Sequence, residues 1–167
     1  MTTTPQDIVI GLEDQQINDS AAQFIRASYP YMKMLKRSFE FSMLPIPQQI
    51  KDRMGEDIRK DIIELYDCMR KGVWTAACLM AFRLFEESLR IYASDDLRLN
   101  KAYQMKLGDL VDTTKHCFDA STTQNLHELR KLRNKITHHF NQPDEEEAIR
   151  AIHLSLAVTF AIFSIEN

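Results

Sequence analysis

Three side chains in the run RNKITH have types and spacing suited to chemistry: Arg133, Asn134 directly after it, and His138. A guanidinium can neutralise charge on a phosphate, an imidazole can take or give a proton, and a carboxamide can hold either a substrate or the imidazole in place. Around them Arg130, Lys131 and His139 add positive charge or a second ring. They are either solvated surface groups or a patch for the RNA backbone. His139 also lies at a usable spacing from Arg133 but projects towards Leu132, which favours His138. His116, His127 and His153 are too far apart for a metal-ligand spacing, and Cys68, Cys78 and Cys117 show no CxxC pattern. No metal and no cofactor are expected, and neither a P-loop nor a dinucleotide fingerprint occurs.

The element that must position these groups is a helix over residues 126–140. At 100° per residue Leu126, Leu129, Leu132, Ile136 and Phe140 share an apolar flank, with Arg130, Asn134, His127 and His138 on another and Arg133 at the seam. Asn134 and His138, four apart, share a face, whereas Arg133 and His138 point about 140° apart. Their convergence therefore requires the helix to loosen before His138, or a second copy of the chain to bring its own motif alongside. A homodimer across this helix is expected.

The remainder of the chain reads as helical. With 167 residues, 44% hydrophobic and 27% charged, and only 4 Gly and 5 Pro, it suits one domain and disfavours a turn-rich β fold. Residues 1–44 read as an N-terminal arm, apolar at Ile8–Leu12, and a helix capped near Asn18 or Asp19 and kinked at Pro30. They are expected to pack as one domain with a helical bundle over 45–167. One helix should run from Pro47 to a left-handed Gly72, with Ile50, Met54, Ile58, Ile62, Leu65 and Met69 inward and Lys51 outward. The next, 73–93, is apolar around most of its circumference and therefore central. Its exception is a stripe of Arg83, Glu86, Glu87 and Arg90, in which Arg83–Glu87 and Glu86–Arg90 can pair. The stripe is either exposed and self-paired, or faces the 126–140 helix and orients Arg133 through Glu86 or Glu87. A short helix over 106–117, a cap at Ser121 or Thr122, and a last helix opened by Pro143-Asp144-Glu-Glu-Glu complete an all-α, single-domain bundle of about five to six helices.

The net charge of −3 excludes bulk attraction to nucleic acid, so any RNA contact must be local. The N-terminus lacks the basic and apolar regions of a signal peptide, and the apolar windows look interrupted by charge before membrane-spanning length. A cytoplasmic location with reduced cysteines and no membrane contact is expected.

The Arg133-Asn134-x3-His138 pattern near the end of a late amphipathic helix, followed by a short loop and a last helix, resembles the HEPN superfamily. The Pro47–Ala93 helix pair, with its AFRLFEESLR segment, extends the resemblance to about residues 45–163. It implies an all-α bundle acting as a metal-independent endoribonuclease, a toxin or defence effector, with a composite cleft between two copies. His138 would be the base or acid, Arg133 the phosphate holder, Asn134 the positioning group, and the product a 2′,3′-cyclic phosphate. Arg83 and Glu87 would support the site. The resemblance equally admits a non-catalytic HEPN module that dimerises or binds RNA or a protein partner, such as a nucleotidyltransferase-like antitoxin. An unrelated bundle assembling through the Ile8–Leu12 arm is a third reading.

Overall fold

The computed structural model describes residues 18–22, 46–138 and 142–165. Among them, residues 18–22 are helical, and six longer α-helices follow: α1 (Gln48–Arg53), α2 (Glu56–Arg70), α3 (Trp74–Ile91), α4 (Leu107–Thr114), α5 (Ala120–His138) and α6 (Glu145–Ser164). The fold is an all-α helical bundle. A π-helical turn, Tyr92–Asp96, and a 3₁₀ turn, Ala102–Gln104, join α3 to α4.

The core is built on α3 and α6, which make the most extensive helix pair, with α2 on the far side of α3 and α5 alongside α6. Leu84, Phe85 and Leu89 of α3 and Ile152, Leu156 and Phe160 of α6 are fully enclosed. Each such side chain withdraws enough apolar surface to contribute about 1.5–3 kcal/mol. Hydroxyls on these helices are satisfied without water: Ser155 donates to the Ala81 carbonyl across the interface, and Ser88 donates to the Leu84 carbonyl at 2.7 Å. By length and composition α6 is apolar enough to cross a membrane, although its uncharged run begins only after Arg150. Its apolar surface faces neighbouring helices instead, with 72% of the apolar window buried inside the fold.

The helix expected from Pro47 to Gly72 is two helices. The chain leaves helical geometry at Met54 (φ −75°, ψ 125°), and Gly55 begins α2 in an extended conformation. All six stripe residues are nevertheless buried. The break has its own closure: the Arg59 guanidinium donates to the carbonyls of Met54 at 2.9 Å and Lys51 at 2.8 Å at the end of α1. Lys51 is buried rather than outward, and burial lowers its ammonium pKa. Gly72 has the expected left-handed φ of 68°.

The start of α5 also differs from expectation. Asp119, not Ser121 or Thr122, is the cap: its carboxylate accepts from the Thr122 amide at 2.6 Å. Asp144 caps α6 in the same way, accepting from the Glu147 amide at 2.8 Å, with Glu145, Glu146 and Glu147 in the first turn. Asn18 already lies inside a helical segment. The expected Ile8–Leu12 arm and Pro30 kink fall outside the described residues, as do the boundary at 44/45, His139 and Phe140.

Candidate functional site

The geometry begins with α5. Leu126, Leu129 and Ile136 are buried and Leu132 is half-buried, so the expected apolar flank sets the rotation of the helix. The opposite edge is fastened to α6 by Lys135–Glu147 and Arg150–Glu128 ion pairs. The helix remains α-helical to His138, and in its last turns the Thr137 hydroxyl donates to the Arg133 carbonyl at 2.7 Å. It does not loosen before His138. Within one chain Arg133 and His138 thus diverge by about 140°, while Asn134 and His138 are both exposed on neighbouring faces.

Arg133 is held from α3. One Glu86 oxygen lies 3.6 Å from the Arg133 guanidinium, and the other accepts from Arg90 at 2.7 Å. Arg90 is fixed in turn, since it also donates to the carbonyls of Ala102 at 2.7 Å and Met105 at 3.2 Å. Arg133 keeps 31% of its side chain exposed. It makes no hydrogen bond through its guanidinium to the described residues, so most of its five donors remain available.

The other stripe residues do not reach Arg133. Arg83, 64% exposed, pairs with Asp61 of α2 at 3.2 Å instead of with Glu87. The Asp61 carboxylate is almost wholly buried, its Oδ2 facing Arg83 makes no hydrogen bond among the described residues, and burial raises its pKa against the pull of Arg83. Glu87 sits near the phenol of Tyr103, whose pKa rises through partial burial and then through that carboxylate. Lys131 is exposed. Arg130 turns towards α4, 3.8 Å from Asp112, with its guanidinium against the backbone of Gly108, where an added Cβ would stand 3.5 Å away.

These placements enclose a cleft of about 450 Å³. Its walls are Glu86 and Arg90 from α3, residues 106–109 at the start of α4, and Arg130, Arg133 and Asn134 from α5. Four cationic side chains face two carboxylates, Glu86 and Asp109. No family model, no curated protein and no solved structure matches the chain. Among the described residues no group of three or more His, Cys, Asp or Glu side chains is placed to hold a metal ion.

The arrangement can attract an anion to Arg130 and Arg133, and it presents an amide and an imidazole to whatever lies against the end of α5. Sequence reasoning missed Lys106 and Gly108, which stand at the start of the short helix read over 106–117 with no spacing that marks them. It named Glu86 only as one of two partners for Arg133. The choice between Glu86 and Glu87 depends on the rotation of α3, which its nearly uniform apolar surface leaves undefined in sequence.

Proposed function

We propose that the chain is a HEPN-type, metal-independent endoribonuclease, a cytoplasmic toxin or defence effector, acting as a homodimer whose site combines Arg133 of one copy with His138 of the other. The observation that carries this reading is the exposure of Asn134 and His138 on one side of an unbroken α5, beside a cleft into which Arg133 opens. His138 removes the proton of a ribose 2′-hydroxyl, and the oxygen attacks the adjacent phosphorus. Arg133 neutralises the charge gathered on the phosphorane, and the 5′-oxygen leaves with a proton taken from water, giving a 2′,3′-cyclic phosphate and a 5′-hydroxyl, while the imidazolium returns its proton to solvent. Asn134 orients the strand or the imidazole. The test is cleavage of single-stranded RNA in EDTA. It should fall at least about 10²-fold in His138→Ala, and activity unchanged by that substitution removes the assigned site.

The Glu86–Arg133 contact at 3.6 Å favours a second reading, a non-catalytic HEPN module binding RNA or a protein such as a nucleotidyltransferase-like antitoxin. In it Arg133 serves the fold, so Arg133→Ala should lower Tm by several degrees, on the order of 2–4 °C per kcal/mol lost. A variant that melts like the parent counts against it.

A further inference from the structure

The cleft between α3, α4 and α5 is formed by one chain and does not contain His138. We propose that it is a phosphate-binding subsite for single-stranded RNA, in which Arg130 and Lys106 hold the backbone phosphate next to the one that Arg133 meets at the bond that is cut. The choice of RNA as the source rests on the nuclease reading. The choice of phosphate rests on the cleft itself.

The cations differ in what already occupies them. Arg90 is committed to Glu86 and to two backbone carbonyls. Among the described residues the Arg130 guanidinium has one ionic contact, at 3.8 Å with Asp112, a carboxylate that Lys115 already holds at 2.9 Å and whose pKa that lysine's hydrogen bond and charge lower. Among the described residues Arg133 has only the 3.6 Å contact with Glu86. The Lys106 ammonium pairs with no group among the described residues. Two guanidinium groups three residues apart on α5 therefore converge on one space with most of their donors unused. Planar guanidinium forks suit the tetrahedral oxygens of phosphate, while the ammonium adds an untargeted charge. Asp109 opposes this from the exposed rim, where solvent weakens its effect. A volume of about 450 Å³ exceeds what a lone carboxylate needs and falls within the range of ligand pockets. Gly108 completes the wall: the absence of a side chain there lets the Arg130 guanidinium lie against the start of α4.

Gly108 also supplies the discriminating variant. Its φ is not in the left-handed region, an added Cβ meets Arg130 only at ordinary contact distance, and an acidic residue suits the first turn of a helix. Gly108→Asp should fold and place a carboxylate where the phosphate belongs. Binding of a fluorescent single-stranded oligoribonucleotide to the full chain is followed by anisotropy, with inorganic phosphate as competitor and circular dichroism to verify folding. Gly108→Asp and Arg130→Gln should each raise Kd about tenfold or more, and Lys106→Gln should reduce the slope of log K against log salt by about 0.7. Unchanged affinity in folded Gly108→Asp overturns the subsite. Binding of inorganic phosphate that no oligoribonucleotide displaces overturns RNA as its source. Loss of cleavage in His138→Ala with wild-type affinity in Gly108→Asp keeps the nuclease and rejects the cleft. Affinity lost in Gly108→Asp in a chain that never cleaves RNA keeps the cleft and rejects the nuclease.

Discussion

Glu86 binds two arginines at once: it takes a hydrogen bond from Arg90 at 2.7 Å and stands 3.6 Å from Arg133. The first contact is short and continues into two backbone carbonyls, whereas the second is long and partly exposed. Glu86 is therefore an anchor for Arg90 and a loose restraint on Arg133. Glu86→Gln should cost about 1 kcal/mol or less and should tighten oligoribonucleotide binding several-fold, because it removes a competing anion from the cleft. Paired denaturant melts and anisotropy titrations would measure both. Weaker RNA binding in this variant would contradict the restraint.

The divergence of Arg133 and His138 along α5 gives a complementation experiment. Arg133→Ala and His138→Ala should each be inactive in RNA cleavage. Mixed in equal amounts and allowed to exchange, they should recover about a quarter of wild-type activity, since half the dimers are mixed and each mixed dimer has one intact composite site. No recovery, with exchange verified by mass-tagged chains, would exclude a site formed from two copies.

His153 gives a pH dependence. Burial lowers its pKa, only partly opposed by a hydrogen bond with the backbone of Asn18, and its Nε2 has no hydrogen-bond partner among the described residues. The unfolded chain therefore takes up a proton at higher pH than the folded one. Stability is full above the ordinary histidine range and falls as pH drops from about 6.5 towards the lowered folded value. Urea midpoints at pH 7.5 and 5 should show this loss, and His153→Leu should remove the histidine part of it. An unchanged slope would place the dependence elsewhere.

Cys78, wholly enclosed on α3, has its thiol pKa pushed up to about 12 by burial and then by Glu147. It should resist alkylation at pH 8 in the native chain and react only on unfolding, while half-buried Cys68 and Cys117 react sooner. Mass mapping after a timed iodoacetamide pulse would separate the three. Early labelling of Cys78 would mean that α3 and α6 part readily.

Asp119→Ala removes the acceptor for the Thr122 amide and should cost about 1 kcal/mol, with RNA affinity unchanged because the cap lies at the opposite end of α5 from His138. A denaturation curve and a binding curve on the same preparation suffice.

Much of the bundle is legible in its apolar periodicity. The stripe from Ile50 to Met69 and the flank from Leu126 to Ile136 are inward because no other arrangement buries them together. The break at Met54–Gly55 is not legible in that way, since the stripe runs through it in register and a single glycine is tolerated inside many helices. Lys51 escapes detection because a long lysine stem can lie in an apolar setting even though its type reads as surface. The Asp119 cap is present as an acid three residues before Thr122, but the adjacent Ser121 and Thr122 compete for the same reading. At the candidate site the positions of Asn134 and His138 follow from residue spacing, whereas the meeting of Arg130 with Gly108 and of Arg133 with Glu86 joins segments more than twenty residues apart. Such meetings depend on how α3, α4 and α5 rotate against one another, which one-dimensional pattern does not encode.

The unbroken run of α5 through Thr137 has a kinetic corollary. If the site is built from two copies, with its two reactive groups on divergent sides of a continuous α5, the variable that assembles it is the amount of protein. Below the dissociation constant of the dimer, cleavage should rise with the square of chain concentration. A cell holding the chain scarce would hold it silent, and a modest rise in abundance would act as a threshold.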